Sequence, residues 1–345
     1  MKKSLFFVMA SMIILAIALG ACAPAAAPAA KTGFKAAMVT DLGGLATSPD
    51  TKGFSDLCWE ALEKAKKDLG IEITLFESKE LADLEPNLTK AATEGYNFVV
   101  GCGFLFTDAI TAVAPKFPNV KFALVDSVVD SPNVQSLVFS EHEGSFLVGA
   151  IAAGMSQTGT IGFLGGMEVP LIVKFEMGYW AGARTINPNI KILSGYTGSF
   201  SDVAKGKEIT LTQFQQGADV VYAAAGACGL GTIEAAKEQG KWAIGVDTDQ
   251  DGYAKGSVLT SMLKRVEIAV YNSVKAAVDG TFKGGVVVND LKINAVGYSE
   301  LRYTKDKIPA ELLKKVDQLA EMIKSGKFVV PQTKDELAKF VPPTM

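Results

Sequence analysis

Four aspartates and a lysine stand where their chemistry could serve a ligand, because each ends a short apolar segment or follows a glycine turn. They are Asp41, Asp108, Asp126, Asp247 and Lys264. An ionised carboxylate only accepts hydrogen bonds, so it suits hydroxyl donors such as those of a sugar or a ribose. One such charge-assisted bond contributes about 1.5–3 kcal/mol. A single strand-end aspartate is more often a helix N-cap, but several on different strands indicate a ligand site.

Two phenylalanines stand near these polar residues without an obvious core to join. Phe54 opens a predicted helix after the Asp41 loop, and Phe200 lies in the polar loop 197–202. Two rings, one from each half of the chain, could sandwich a flat heterocycle, and each stack would add about 0.5–1.5 kcal/mol. The alternative is that each ring packs against its own half as a hydrophobic staple.

Glycines follow two of the apolar segments, at 101–103 and at 226–231. Neither loop has the third glycine of a dinucleotide fingerprint in register or a phosphate-binding lysine. Close approach of the backbone to an uncharged ligand is the simpler explanation, and Gly226 is therefore a candidate ligand-binding residue.

Short apolar strands and amphipathic helices alternate along the chain and must position these residues. The pattern predicts strands at 35–41, 71–76, 98–103, 120–126, 160–165, 190–196, 220–225, 242–247, 257–263, 286–291 and 328–330. It predicts helices at 54–69, 84–95, 107–117, 143–156, 171–186, 203–217, 232–238, 266–279 and 309–325. Strands rich in Val, Ile and Ala belong to parallel sheets covered on both faces. The fold class is therefore α/β, with two doubly wound parallel sheets.

The last hundred residues contain too few elements for a third core, so we expect them to return and complete both sheets. This predicts one lobe from 34–140 and about 252–290, and another from 141–251 and about 291–345. Several hinge strands would join the lobes around a cleft. In open parallel sheets a ligand binds outside the carboxyl ends of the strands, which is where the candidate residues lie.

The N-terminus has the layout of a lipoprotein signal over residues 1–21. Lys2 and Lys3 precede an apolar run, and Leu19-Gly20-Ala21 leads to Cys22, which resembles a lipobox. We expect Cys22 to carry the lipid and 22–33 to be a flexible Ala/Pro-rich tether. The protein would then be anchored to the cell membrane on its extracytoplasmic side, in the periplasm or at the cell surface. An ordinary secretory signal or a single membrane anchor helix is the alternative.

Composition disfavours several classes of function. The net charge is −3 and no basic cluster is visible, so nucleic acid is not an expected partner. His142 is the only histidine and is predicted to be a solvated helix-cap residue, so we expect no metal, no cofactor and no catalytic residue. Cys58, Cys102 and Cys228 show no metal or redox spacing and are predicted to be reduced, although a Cys102–Cys228 bridge is conceivable.

Five segments together resemble a known family: 126–152, 162–170, 198–202, 245–250 and 259–265. They closely resemble the basic membrane protein family, the purine-nucleoside receptor lipoproteins of bacterial ABC importers. The resemblance extends from residue 34 to about 325. It implies a type I periplasmic-binding fold, an ABC permease as partner, and binding without catalysis.

The resemblance also implies roles for the candidate residues. Phe54 and Phe200 match rings that stack a nucleobase, and Asp126 and Asp247 match carboxylates that hold ribose hydroxyls. Two further aspartates, Asp41 and Asp108, match cleft positions. Lys264 matches a lysine that contacts the ligand or closes the cleft.

The family's first loop usually places an asparagine beside the stacking ring, where this chain has Ser55 after Phe54. From the resemblance as a whole we expect a monomeric lipoprotein that binds a nucleoside, most readily a purine. A sugar or other small polar metabolite, a ligand-sensing signalling role and an extracellular hydrolase remain as alternatives.

Overall fold

The computed structural model describes residues 33–42 and 44–344. The predicted signal segment, Cys22 and all of the tether except its last residue lie outside the described residues. No helix in the described ranges is both long and apolar enough to cross a bilayer.

The first lobe is built on a six-stranded parallel sheet. Its strands are β1 (Lys35–Val39), β2 (Glu72–Phe76), β3 (Phe98–Gly101), β4 (Lys121–Val125), β5 (Val134–Phe139) and β11 (Gly285–Asn289), in the order β11-β5-β4-β3-β1-β2. Alternate residues of a strand point to opposite faces. Ala36 and Met38 of β1 accordingly join one core cluster, and Ala37 and Val39 join another.

Helices cover both faces of this first sheet. α1 (Phe54–Leu69) and α8 (Val266–Asp279) pack together on the face of Ala36 and Met38. α2 (Leu84–Thr93) and the short α3 (Thr107–Val113) cover the opposite face. Burial on both sides explains the nearly continuous apolar sequence of the inner strands.

The second lobe repeats the arrangement with one exception. Its strands are β6 (Thr160–Gly165), β7 (Lys191–Tyr196), β8 (Val220–Ala224), β9 (Trp242–Asp247), β10 (Val258–Lys264) and β12 (Val296–Tyr298), in the order β12-β10-β9-β8-β6-β7. All pairings are parallel except that of β12 with β10. Two α/β lobes with parallel-dominated sheets confirm the predicted fold class.

Six helices belong to the second lobe. They are α4 (Glu141–Met155), α5 (Pro170–Ile186), α6 (Val203–Gln215), α7 (Cys228–Gln239), α9 (Ala310–Lys324) and α10 (Lys334–Lys339). α4 and α5 approach closely because glycines face backbone across their contact. A Cβ at Gly178 would lie 2.2 Å from the carbonyl oxygen of His142, and one at Gly182 would lie 1.9 Å from that of Phe146. This contact fixes the side chains of α5 relative to the start of α4.

The chain crosses between the lobes three times, after β5, after β10 and after β11. Hydrogen bonds join neighbouring crossings: Ser140 N–H donates to the Asn289 carbonyl at 2.9 Å, and Arg265 N–H to the Ala295 carbonyl at 2.9 Å. Because β10 belongs to the second sheet, the segment that returns to the first lobe begins after Lys264 rather than near residue 252. The last hundred residues supply β11 to the first sheet and β10 and β12 to the second.

Several elements differ from the prediction. The prediction lacks strands β5 and β12 and helix α10, and 328–330 forms no regular strand. α7 begins at Cys228 rather than at 232, so the predicted glycine loop is partly helical. A Cβ at Gly231 would lie 2.1 Å from the Val203 carbonyl oxygen, so this glycine permits α6 and α7 to pack.

The cysteines also differ from the prediction. Cys58 and Cys102 form a disulfide with their Cα atoms 6.5 Å apart, while Cys228 is a buried free thiol. Cys58 lies on the buried face of α1, and Cys102 directly follows β3. The packing of α1 on the sheet brings the two together, which a sequence separation of 44 residues does not reveal. The prediction of a reduced, buried thiol is confirmed for Cys228 and is wrong for Cys58 and Cys102, and the conceivable Cys102–Cys228 bridge does not form.

Candidate ligand-binding site

A cavity of about 410 Å³ lies between the two lobes, at the carboxyl ends of strands from both sheets. Seven of the eight predicted ligand-binding residues line it. From the first lobe come Asp41, Phe54 and Asp126, and from the second come Phe200, Gly226, Asp247 and Lys264. This placement agrees with the general rule for open α/β sheets.

Asp108 is the predicted residue that the structure places elsewhere. It is exposed on the first turn of α3 and borders a groove on the outer side of the first lobe, together with Glu85 and Lys90. A short 3-10 helix, Phe104–Phe106, separates β3 from α3. Because α3 buries Ala109 and the residue after it, the Asp108 side chain is turned outwards.

Asp126 and Asp247 occupy matching positions in the two lobes. Asp126 directly follows β4, and Asp247 is the last residue of β9. Both have positive φ angles, 70° and 66°. Non-glycine residues rarely adopt this left-handed conformation, and they keep it where the surrounding structure demands it. The shared geometry turns one carboxyl from each lobe into the cavity.

Lys264 joins the lobes inside the cavity. Its Nζ lies 2.6 Å from each carboxylate oxygen of Asp126 and 3.0 Å from Oε1 of Glu141, and its side chain is only 1% exposed. The ammonium also lies 5.1 Å from the ring centre of Phe54 and 5.0 Å from that of Phe139. Burial alone would lower the pKa of Lys264, but the Asp126 and Glu141 carboxylates raise it above its ordinary value. The lysine therefore stays protonated.

Asp126 and Asp247 differ in the charged groups that act on their carboxyls. Burial raises the pKa of Asp126, while the adjacent Lys264 ammonium acts to lower it. Burial raises the pKa of Asp247 to about 7; Lys264 again opposes this rise, and the carboxylates of Asp126 and Glu141 add to it. Asp126 is held in a direct ion pair, whereas Asp247 is the cavity carboxyl poised to titrate near neutral pH.

Behind Lys264 lie two charged residues that sequence analysis did not select. Glu141, the first residue of α4, has a fully buried side chain whose Oε2 lies 2.5 Å from Lys174 Nζ. Burial alone would raise the pKa of Glu141, but the two neighbouring ammonium groups lower it. Lys174 also donates to the Phe139 carbonyl at 2.8 Å. A lysine inside the apolar run 171–175 was the signal that could have revealed this partner.

His142 is buried, only 5% exposed, next to Glu141. Burial, together with the Lys174 charge, lowers the pKa of His142 to about 4. The ring is therefore neutral at physiological pH. The prediction of a solvated cap residue is wrong, because α5 packs against this end of α4 and removes the side chain from water.

The aromatic residues form an apolar part of the cavity wall. Phe54 comes from the first lobe and Phe200 from the second, and both rings line the cavity. Phe104, which sequence analysis missed, contacts Phe200 edge to face across the lobes with 6.1 Å between ring centres. Gly226 has a φ of 57°, and a Cβ there would lie 2.9 Å from the Phe200 carbonyl oxygen. This glycine is thus required for the position of the Phe200 loop.

The loop before α1 is held by its own carboxylates. Ser55 Oγ donates to Oδ1 of Asp41 at 3.0 Å. Asp56 accepts hydrogen bonds from the backbone N–H groups of Gly53 and Ala46, at 2.8 Å and 2.9 Å. Both Ser55 and Asp41 line the cavity. The departure from the family's usual loop therefore gives a serine hydroxyl that is engaged by a neighbouring aspartate.

Chemically, the cavity offers carboxylate acceptors, buried positive charge and flat apolar walls. Within 33–42 and 44–344 no three His, Cys, Asp or Glu side chains are grouped so that they could hold a metal ion. The arrangement suits a small ligand that carries hydroxyl donors and an apolar ring.

Comparison with known proteins agrees with this geometry. Residues 34–334 match the family profile described as "ABC transporter substrate-binding protein PnrA-like". The ABC transporter nucleoside-binding protein BmpA of Lactococcus lactis is 36% identical over 358 residues, covering 96% of this chain and 99% of the relative. An uncharacterized lipoprotein of Pyrococcus abyssi is 37% identical over 325 residues, covering 90% and 78%. The crystal structure of an ABC transporter solute-binding protein from Aeropyrum pernix superimposes with a TM-score of 0.81 at 29% identity, covering 89% and 96%.

Proposed function

Since this chain belongs to the PnrA-like family of ABC transporter substrate-binding proteins, we propose that its own ligand is a nucleoside, most readily a purine nucleoside, bound between the lobes. The family assignment and the type I periplasmic-binding fold confirm the resemblance seen in the sequence. The protein is a solute-binding component of an ABC transporter and not an enzyme. A small-molecule ligand and permease subunits are its partners.

The observation that carries the proposal is the combination of groups in one cavity. Phenylalanine rings from both lobes line it, and so do carboxyls from both lobes, among them Asp126 and Asp247. Rings suit the flat base, and carboxylates suit the ribose hydroxyls. Support also comes from the relative in Lactococcus lactis, which is named a nucleoside-binding protein.

Closure of the lobes would complete the site. Asp126 lies in the first lobe and Asp247 in the second, so a ligand that bonds to both holds the lobes together. Hinge closure of this kind is common among periplasmic binding proteins. The closed form would then deliver the nucleoside to the permease.

We also propose that Cys22 carries a lipid that anchors the monomeric protein outside the cytoplasm. The lipobox-like sequence supports this, as does the name of the Pyrococcus abyssi relative as a lipoprotein. The Cys58–Cys102 disulfide is a third support, because disulfides persist in oxidising compartments.

Calorimetric titration tests the ligand class. A soluble protein that begins at Ala23 is unfolded, freed of carried-over ligand and refolded under oxidising conditions. It is then titrated with inosine, guanosine, adenosine, cytidine and ribose. We expect a purine nucleoside to bind with micromolar to nanomolar affinity, a binding free energy of about −8 to −12 kcal/mol. Ribose should give no measurable binding.

Silence toward all nucleosides would contradict the proposal. A sugar or another small polar metabolite would then be the candidate ligand, since carboxylates and aromatic rings serve sugars equally well. Incubation with inosine followed by an assay for free base also checks that the protein leaves the nucleoside intact.

A further inference from the structure

Four charged residues, of which Lys174 is half-buried and the other three have buried side chains, form a chain that starts behind the cavity and ends inside it. Lys174 contacts Glu141, Glu141 contacts Lys264, and Lys264 contacts Asp126. Only Lys264 and Asp126 line the cavity. We propose that Glu141 and Lys174 are positioning residues that hold Lys264 against Asp126 and thereby set the affinity for ligand hydroxyls. The inference rests on the proposed binding of a hydroxyl-bearing ligand at Asp126.

Lys264 is held close to Asp126 in this arrangement. Three carboxylate oxygens lie within 3.0 Å of Nζ, two from Asp126 and one from Glu141. Both Asp126 oxygens accept hydrogen bonds from the ammonium, and Glu141 pairs with it by charge. Lys264 therefore orients Asp126 and opposes the rise that burial causes in the pKa of this carboxyl. The remaining lone pairs of Asp126 are the groups that accept from the ligand.

The positions of Glu141 and Lys174 are fixed by the fold. Glu141 begins α4 directly after the first crossing, and Lys174 lies on α5, which packs on α4 through Gly178. Lys174 also donates to the carbonyl of Phe139, the last residue of β5. Lys174 therefore contacts both sides of the crossing after β5. It reaches the first lobe through its hydrogen bond to Phe139 and the second lobe through its ion pair with Glu141.

The charges of the chain balance, with two ammonium groups and two carboxylates. Removing one charge from such a buried group leaves another uncompensated. Without Lys174, Glu141 has Lys264 as its remaining cation and competes for it with Asp126. Without the Glu141 charge, Lys264 loses its second anchor.

The two residues act on Asp126 with opposite sign. The charged groups that influence it are Lys264, Glu141 and Lys174, and it interacts in turn with Asp247. Glu141 raises the pKa of Asp126, and Lys174 lowers it. Neutralising Glu141 should therefore lower the pKa of Asp126, whereas neutralising Lys174 should raise it.

The test uses Glu141→Gln, Lys174→Met and the double variant, with Asp108→Ala as a control outside the cavity. Inosine affinity is measured by calorimetry between pH 5 and pH 8.5, and the Asp126 carboxyl is titrated by NMR in ligand-free protein. We expect Lys174→Met to weaken inosine binding by roughly tenfold, because Asp126 then loses part of the positive charge that favours its ionised form. The Asp126 titration should shift up in Lys174→Met and down in Glu141→Gln, and return towards the wild-type value in the double variant.

Shifts of the same sign, or unchanged titration in both single variants, would overturn the proposal. A purely structural role would lower thermal stability and the bound stoichiometry, but it would not move the Asp126 titration in opposite directions. If the single variants do not fold, the charge-balanced double variant decides: a wild-type Asp126 titration supports the proposal, and a displaced one overturns it. If the wild-type protein does not bind inosine, that result contradicts the proposed function. It leaves the test of the positioning residues intact, because the NMR titration needs no ligand.

Discussion

At the residue scale, Asp126 and Asp247 have the same backbone geometry and different electrostatic surroundings. Asp126 is paired directly with Lys264, while Lys264 acts on Asp247 through its charge. The positive φ of each residue was not visible in the sequence, although their strand-end positions were. We therefore expect each carboxyl to make its own contribution to binding.

The first prediction concerns Asp247→Ala. Loss of one charge-assisted hydrogen bond, worth about 1.5–3 kcal/mol, should weaken nucleoside binding by at least roughly tenfold. Calorimetric titration with inosine measures the effect. Asp108→Ala removes an exposed carboxylate outside the cavity and should bind like the wild type. Unchanged affinity in Asp247→Ala would remove this residue from the site.

The second prediction concerns pH. Burial raises the pKa of Asp247 to about 7, so the carboxyl is ionised above that pH and gains a proton below it. A ligand hydroxyl that donates to the ionised form must displace this proton, and affinity should fall by up to roughly tenfold per pH unit below about pH 7. Titrations in buffers of different ionisation enthalpy should also show proton release on binding. A flat affinity between pH 5 and pH 8.5 would contradict this, and Asp247→Asn should show a weaker dependence.

At the element scale, sequence patterns located the long, strongly apolar elements and failed at short or mixed ones. β5 contains Gln135 and the buried Ser136, whose hydroxyl accepts from the Val129 N–H, so its apolar pattern is interrupted. The segment 328–330 was predicted as a strand because it is apolar. It is instead packed against α4, with Phe328 and Phe146 ring centres 5.3 Å apart, and forms no ladder. The sequence therefore indicated that this segment is buried, but it did not show whether the segment pairs with a strand.

The third prediction concerns the disulfide that links α1 to the loop after β3. Cys58 lies one turn beyond Phe54, and Cys102 immediately precedes Gly103, so the bridge joins two segments that line the cavity. The double variant Cys58→Ala/Cys102→Ala should lose about 2–4 kcal/mol of unfolding free energy. It should also bind inosine more weakly, because these two walls are then less well fixed.

Chemical denaturation and calorimetry measure both effects. Cys228→Ala is the matched control, since this buried thiol has no disulfide partner among the described residues and its loss removes no cross-link. Equal stability of the double variant and the wild type would show that the bridge does not constrain the fold.

At the scale of the whole molecule, the structure is an arrangement in which the lobes touch across the cavity. Phe104 meets Phe200, and Lys264 at the end of the second-lobe strand β10 meets Asp126 of the first lobe. The sequence predicted two lobes and seven of the cavity residues, because strand ends and glycine turns are local signals. It could not predict that Glu141 and Lys174 meet, because their contact depends on the packing of α4 on α5.

The fourth prediction follows from these contacts. Ligand-free protein in solution should be more open on average than this structure, and inosine should shift it towards the closed form. Small-angle X-ray scattering should show a smaller radius of gyration with saturating inosine. Asp247→Ala at the same inosine concentration should compact less, because one of its lobe-bridging groups is missing. An unchanged radius in the wild type would argue against hinge closure by the ligand.

The three crossings also bear on how the molecule is made. Strand β11, the edge of the first sheet, lies at Gly285–Asn289, after every second-sheet strand except β12. Neither lobe is therefore encoded by one continuous stretch of the gene. A chain that emerges N-terminus first can assemble β1 to β5 early, but it cannot place α8 or β11 on that sheet until most of the second lobe has been synthesised. Both lobes are completed within the same last quarter of the chain, so a truncation there damages both of them at once.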